Sequence, residues 1–239
     1  MRVAALVVML AACRGSDTDD YVIIPGGDDT PIGPQPDAPR PDGAGGDGGG
    51  TLDGRVCLLL DPRDQGSCSA FGAGGLVVTI GSQAALTAAD GSFTMPAPQG
   101  TNLVWHVTGD TIVTSVMPLS STNIIPAIDL ELYNDMLFTN GVLLDADQGS
   151  IFARIVQQGA AVPGALVSAS PPPAVLTRYD GSSLLLWDED ATGPFGVAWI
   201  TGAPVGTSTL TVVSPVGNAV TTTAPVEPLS ITFVTVALP

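Results

Sequence analysis

From Thr51 onward, short runs of Val, Ile, Leu and Thr alternate with clusters of Gly, Pro, Asn and Asp. Runs of this length, bounded by turn-forming residues, predict strands over 55–60, 76–80, 102–108, 111–117, 151–156, 165–169, 195–200, 207–213 and 231–238. Within 102–108 the alternation puts Leu103, Trp105 and Val107 on one face and Val104, His106 and Thr108 on the other. One stretch departs from this two-residue period. In 129–138, Leu130, Tyr133 and Leu137 recur at helical spacing behind Asp129, a good N-cap, and Asn140-Gly141 follows as a stop. A short helix is predicted there, with a last strand of the preceding module as the alternative.

The strand pattern repeats. The first copy runs Gly54-Arg55-Val56, Gly75-Leu76-Val77-Val78-Thr79, Asp90-Gly91-Ser92-Phe93 and Pro98-Gln99-Gly100-Thr101. The second runs Gly149-Ser150-Ile151, Pro163-Gly164-Ala165-Leu166-Val167-Ser168, Thr192-Gly193-Pro194-Phe195 and Pro204-Val205-Gly206-Thr207. Leu176–Ser182 also matches Leu86–Ser92; the later pairing keeps the aromatic residue near Pro-x-Gly-Thr. These motifs resemble the carboxypeptidase regulatory-like (transthyretin-like) domain, most closely at Ala161-Val162-Pro163-Gly164-Ala165-Leu166-Val167. The segment carrying Cys57 and Cys68 departs from that pattern. The resemblance implies non-catalytic β-sandwiches and transfers no catalytic residue.

The first fifty residues have another texture. Met1-Arg2 carries one positive charge, and 3–12 is almost wholly apolar, with small residues before Cys13. This is the layout of a secretory signal, and a run of this length is too short to span a bilayer, which takes about 20 apolar residues. Leu10-Ala11-Ala12-Cys13 resembles the lipobox of bacterial lipoproteins, which implies cleavage before Cys13 and acylation of its thiol. Residues 14–50 then hold ten Gly, six Pro and eight Asp against two Arg. Such a segment has too little apolar surface to offset the entropy of ordering it, so a disordered acidic tether is expected.

Charge and cysteine count narrow the function. The net charge is −16, and all seven basic residues are arginine. Nucleic-acid binding is excluded on this balance, because phosphates are neutralised by clustered Lys and Arg. With Cys13 set aside, Cys57 and Cys68 form an even pair in an exported context and are expected to make a disulfide.

Catalytic patterns are absent from the sequence. His106 is the single histidine and falls on the strand face opposite Trp105. No nucleophile elbow, P-loop or dinucleotide fingerprint occurs, and His and Cys are too few for a zinc site. The one local candidate is Trp187-Asp188-Glu189-Asp190. An exposed Trp there would offer a face to a sugar or cation, and three acids on a loop are candidate calcium ligands. The alternative is a Trp packed on the sandwich beside a solvated acidic turn.

The resulting expectation is an all-β protein: two tandem Ig/transthyretin-like β-sandwiches with one short inter-domain helix, after the tether. The divisions are a signal peptide at 1–12, a lipid-anchored tether at 13–50, a first sandwich at 51–128, helix and connector at 129–148, and a second sandwich at 149–239. The expected role is a non-catalytic lipoprotein on the bacterial cell envelope, at the outer membrane or cell surface, binding a protein or glycan without a cofactor. The alternative role is an accessory subunit positioning an exported hydrolase or secretion machine.

Overall fold

The computed structural model describes residues 50–239 apart from Ser121. The signal segment, Cys13 and nearly all of the acidic tether lie outside the described residues. The first half contributes β1 (Thr51–Leu58), β2 (Val77–Ile80), β3 (Gln83–Leu86), β4 (Ser92–Pro96), β5 (Val104–Thr108), β6 (Ser115–Pro118) and β7 (Ile124–Ala127). Helix α1 (Leu130–Thr139) follows. The second half contributes β8 (Gln148–Gln157), β9 (Ala160–Ala161), β10 (Leu166–Ser170), β11 (Thr177–Tyr179), β12 (Val197–Pro204), β13 (Gly206–Val213), β14 (Ala219–Val226) and β15 (Ile231–Leu238). The chain is all-β with one helix. Each of the nine predicted strands overlaps an observed one.

Two three-stranded sheets, ordered β4-β1-β7 and β10-β13-β14, flank one nine-stranded sheet ordered β11-β12-β8-β15-β6-β5-β2-β3, with β9 on β8. The first small sheet packs on β6-β5-β2-β3 through Val56, Phe93 and Ile125 against Val78, Trp105 and Val107. Phe93 meets Trp105 edge-on at 5.5 Å. The second small sheet packs on β12-β8-β15 through Val167, Leu210 and Val212 against Ile151, Ile155 and Val236. The result is two β-sandwiches whose larger sheets are joined where β15 pairs in parallel with β6, Ile231 opposite Ser115 and Thr232 opposite Val116.

The repeat is a repeat of topology. In the first half β1 pairs antiparallel with β4 and parallel with β7, while β5 pairs with β2 and β6. In the second half β8 pairs antiparallel with β12 and parallel with β15, while β13 pairs with β10 and β14. Hydrogen bonds set the register. The Thr87 hydroxyl accepts from Leu76 N–H at 2.9 Å and donates to Ala73 C=O at 2.5 Å. The Thr192 hydroxyl accepts from Ala165 N–H at 2.8 Å and donates to Val162 C=O at 2.7 Å. Val56 N–H donates to Gly91 C=O, and Ile155 N–H donates to Gly196 C=O.

This register corrects two details of the sequence repeat. Thr192, in the later of the two candidate segments, matches Thr87, but Gly91 matches Gly196 rather than Gly193. Val56 matches Ile155, so Gly54 falls opposite Ala153 rather than Gly149. Each misplaced glycine is required for its own reason. A Cβ on Gly54 would lie 2.3 Å from the Phe93 ring, and one on Gly149 would lie 2.6 Å from Glu227 C=O. Glycine spacing therefore tracks local close approach here, and the hydrogen-bonded threonines track the fold. At the Pro-x-Gly-Thr turns the two halves agree: Gly100 and Gly206 have φ of 135° and 128°, which favour glycine.

The predicted helix forms between the copies. Asp129 Oδ1 accepts from Glu131 N–H at 2.9 Å and Leu132 N–H at 3.2 Å. Its buried face is turned from the expected one: Tyr133 is buried as expected, but with Met136 beside it, whereas Leu130 is 42% exposed. The cause is what the helix covers. Tyr133 packs 6.2 Å from Trp199 and its hydroxyl bonds the Ser150 hydroxyl at 2.7 Å. The helix thus covers the face of β8 and β12 that β10-β13-β14 leaves open. There Phe152 stacks on both Trp199 and Phe233, each at 5.7 Å.

Candidate functional site: the cleft between β6 and β15

Beyond Thr232, β15 keeps β8 as its ladder partner through Leu238 and has none on the other side. Proline ends the ladder. The next step of the register would call on the N–H of residue 118, and Pro118 has none. The strands separate, and a cleft of about 600 Å³ opens between β15 and the β6–β7 connection. Ile231 N–H donates toward β6, to Thr114 C=O. By alternation, the backbone groups of Thr235 and Ala237 face the same side, into the gap.

Arg154 stands in this cleft. It lies on β8 opposite Thr235 of β15, with its side chain on the face of Phe152 and Phe233. No carboxylate of the described residues comes within 4.0 Å of it. Its first-half counterpart, Arg55, donates from Nε to Asp90 C=O at 2.9 Å. The matching position to Asp90 is Phe195, and Arg154 makes no such bond. Gln65 also lines the cleft, and its amide Nε2 is buried with no hydrogen-bond partner. Asp64 is the one acid on the rim, with Oδ1 engaged by Gly66 N–H at 2.9 Å. The cleft therefore presents the Arg154 guanidinium without a protein partner, while the Gln65 amide nitrogen is buried in its wall. Sequence reading passed over Arg154, although a charge inside the apolar run 151–156 was a visible signal.

Gln65 is placed by the disulfide loop. Cys57 and Cys68 are bonded, as the even pair implied. The loop they close carries Arg63, whose Nε and Nη2 grip the Asp61 carboxylate at 2.9 and 2.7 Å. Its Nη1 donates to Gly181 C=O at 2.8 Å, and its guanidinium lies over the Phe195 ring. Burial opposes ionisation of Asp61, but the Arg63 hydrogen bonds and charge outweigh it and hold the carboxyl below its usual range.

The candidates named from sequence fall elsewhere. Trp187 is 1% exposed, packed edge-on against Phe152 at 5.4 Å and Trp199 at 5.6 Å. Of the two readings of this stretch, the packed one holds and the exposed Trp face does not: the ring fills the core beneath α1. Asp188, Glu189 and Asp190 are exposed beside it. Among the described residues no three His, Cys, Asp or Glu side chains gather closely enough to hold a metal ion. The buried carboxylate of this region is Asp180, which accepts from Gly193, Phe195 and Val197 N–H and so ties the loop before β12. His106 lies opposite the Trp105 face, and its Nε2 meets Glu227 Oε1 at 2.6 Å across the two halves. Among the described residues no helix is long and apolar enough to cross a membrane.

No family model and no curated protein matches the chain. Among solved structures, a D312A form of BcpA, the major pilin subunit of Bacillus cereus, has a TM-score of 0.23 at 11% identity, over 69% of this chain and 54% of the pilin. BcpA itself has a TM-score of 0.23 at 9% identity, over 79% of this chain and 70% of that one. A gamma-CGTase from alkalophilic Bacillus clarkii has a TM-score of 0.19 at 14% identity, over 71% of this chain and 24% of that one. The chain spans about half of the first pilin structure and a quarter of the CGTase. Likenesses this weak carry no argument about this protein.

Proposed function

We propose that this is a surface-anchored, non-catalytic lipoprotein whose β-sandwiches bind a protein or glycan partner at the cell envelope. The observation that carries the reading is the cleft between β6 and β15, where Arg154 offers donors that the described residues leave unmet. The lipobox resemblance at Leu10–Cys13 supports the anchor, and the acidic Gly/Pro-rich segment after it suits a spacer. Metabolic labelling with palmitate tests the anchor: label on the chain that vanishes in Cys13→Ala is expected, and an unlabelled chain overturns it. A glycan array and capture from cell envelopes, both with the purified full chain, test the binding role. Specific retention of a glycan or protein is expected, and a chain that retains neither overturns the reading. Stoichiometric recovery of an envelope enzyme would assign the accessory-subunit role instead.

A further inference from the structure

The binding reading sharpens when the chemistry of the cleft is taken group by group. One wall is a strand edge. Pro118 withholds the N–H that Phe233 C=O would take, β6 ends there, and the backbone groups of Thr235, in the cleft wall, and of Ala237, further along the same edge, are left without a ladder partner on that side. An unpaired edge of this kind is a template for one more strand. It is an internal edge, facing Pro118, Leu119, Ser120, Thr122 and Ile124 across the cleft, so it suits a single chain better than another sheet. Hydroxyls of Ser120, Thr122, Thr222 and Thr223 also line the cleft and Asp64 is the one acid on its rim, but the two nitrogen donors of its wall have no protein partner. Arg154 brings a guanidinium with no carboxylate within 4.0 Å among the described residues. Gln65 brings a buried amide end without an acceptor. A planar guanidinium with several parallel N–H donors matches a carboxylate better than a neutral group.

We infer that the cleft takes an extended peptide that adds as a strand to β15 beside Thr235 and Ala237 and presents a Glu or Asp carboxylate to Arg154. The inference rests on the binding-module reading and names its ligand class. A peptide backbone supplies acceptors and donors at the spacing the edge requires, which a sugar ring does not. A carboxylate supplies the acceptor that Arg154 lacks, on a chain whose own net charge of −16 would otherwise repel acidic partners. Recognition is therefore expected to be confined to this one cation, and to weaken with salt.

The test uses the purified full chain and a random heptapeptide library displayed on phage. Peptides selected on the wild type should be enriched in β-branched residues at alternate positions, with one Asp or Glu. Their synthetic forms should lose about tenfold or more in affinity with Arg154→Gln. They should also lose binding with Thr235→Pro, which deletes an N–H that faces the cleft and leaves the bonds to β8 intact. If Thr235→Pro melts far below the wild type, amide exchange replaces it: Thr235 and Ala237 must gain protection when the peptide is added. Asp64→Asn should tighten acidic peptides. Failure to select any peptide overturns the inference, as do peptides without an acid, binding unchanged by Arg154→Gln, or no gain of protection. A glycan or protein that both the wild type and Arg154→Gln retain would overturn this inference and leave the broader binding role standing.

Discussion

The Arg63 guanidinium lies 4.9 Å from the centroid of the Phe195 ring, and its Nη1 donates to Gly181 C=O. A residue of the first half's disulfide loop is thereby fastened to both ends of the loop between β11 and β12 of the second half. The guanidinium is nearly buried, with 10% of its side chain exposed, and Asp61 supplies its countercharge.

Arg63→Ala removes the stacking and the Gly181 bond and leaves Asp61 without its partner. A loss of about 2–4 kcal/mol in urea unfolding is expected, in line with breaking a largely buried, bidentate pair. Arg63→Lys should recover only a small part, because an ammonium cannot grip Asp61 with two parallel bonds and stack on Phe195 together. Equal stability of wild type and Arg63→Ala would show that the loop is not a fastener.

Reduction of Cys57–Cys68 should act at the same place. The bridge spans 11 residues in sequence, and its loss is expected to lower unfolding stability by about 3 kcal/mol. Paired with Arg63→Ala, the two changes should sum to less than their separate effects, since both free one loop. Full additivity would place their actions apart.

Tyr133 predicts an alkaline limit. Burial pushes its phenol up to about 12, against an ordinary value near 10, with the Ser150 hydrogen bond opposing. The folded chain holds the proton more tightly than the unfolded one. The resulting stabilisation is complete below pH 10 and is lost as pH rises from 10 toward 12. It amounts to roughly 2–3 kcal/mol. Denaturant midpoints measured from pH 9 to 11.5 should fall for the wild type and fall less steeply in Tyr133→Phe, the remaining slope belonging to Tyr179, whose phenol burial also pushes up.

Asp61 predicts the opposite, acidic dependence. Its folded carboxyl titrates below the ordinary value of 3.8. The stabilisation is present above that value and disappears as pH falls through the folded value. Arg63→Ala should remove this part of the acid sensitivity in the same midpoint assay. An acid limb unchanged by Arg63→Ala would assign it to other carboxylates.

Thr87 and Thr192 give a paired test of the repeat. Each hydroxyl satisfies a buried N–H and a carbonyl at the same position of its sandwich. Thr87→Val and Thr192→Val should each cost about 1–3 kcal/mol, the penalty for an orphaned buried N–H. Thr→Ser at either position should be milder. A large effect at one site and none at the other would mean that the halves are alike in topology only.

The sequence by itself determined the elements that depend on neighbours along the chain. Strands appear in it because the pleat has a period of two, as at Leu103, Trp105 and Val107, and α1 because Asp129 can cap it. The Cys57–Cys68 bridge followed from an even cysteine count once Cys13 is set aside, in an exported context. Tertiary structure alone decided which faces met. Met136 turns inward beside Tyr133 while Leu130 stays exposed, and Trp187 goes into the core rather than onto the sandwich edge, because Phe152, Trp199 and Phe233 stand across from them. The joined sheet and its cleft depend on Ile231 finding Ser115 and on Pro118 stopping that ladder. Pro118 and Arg154 were both in plain view, but a missing N–H becomes an open edge only when a strand from the far end of the chain lies beside it.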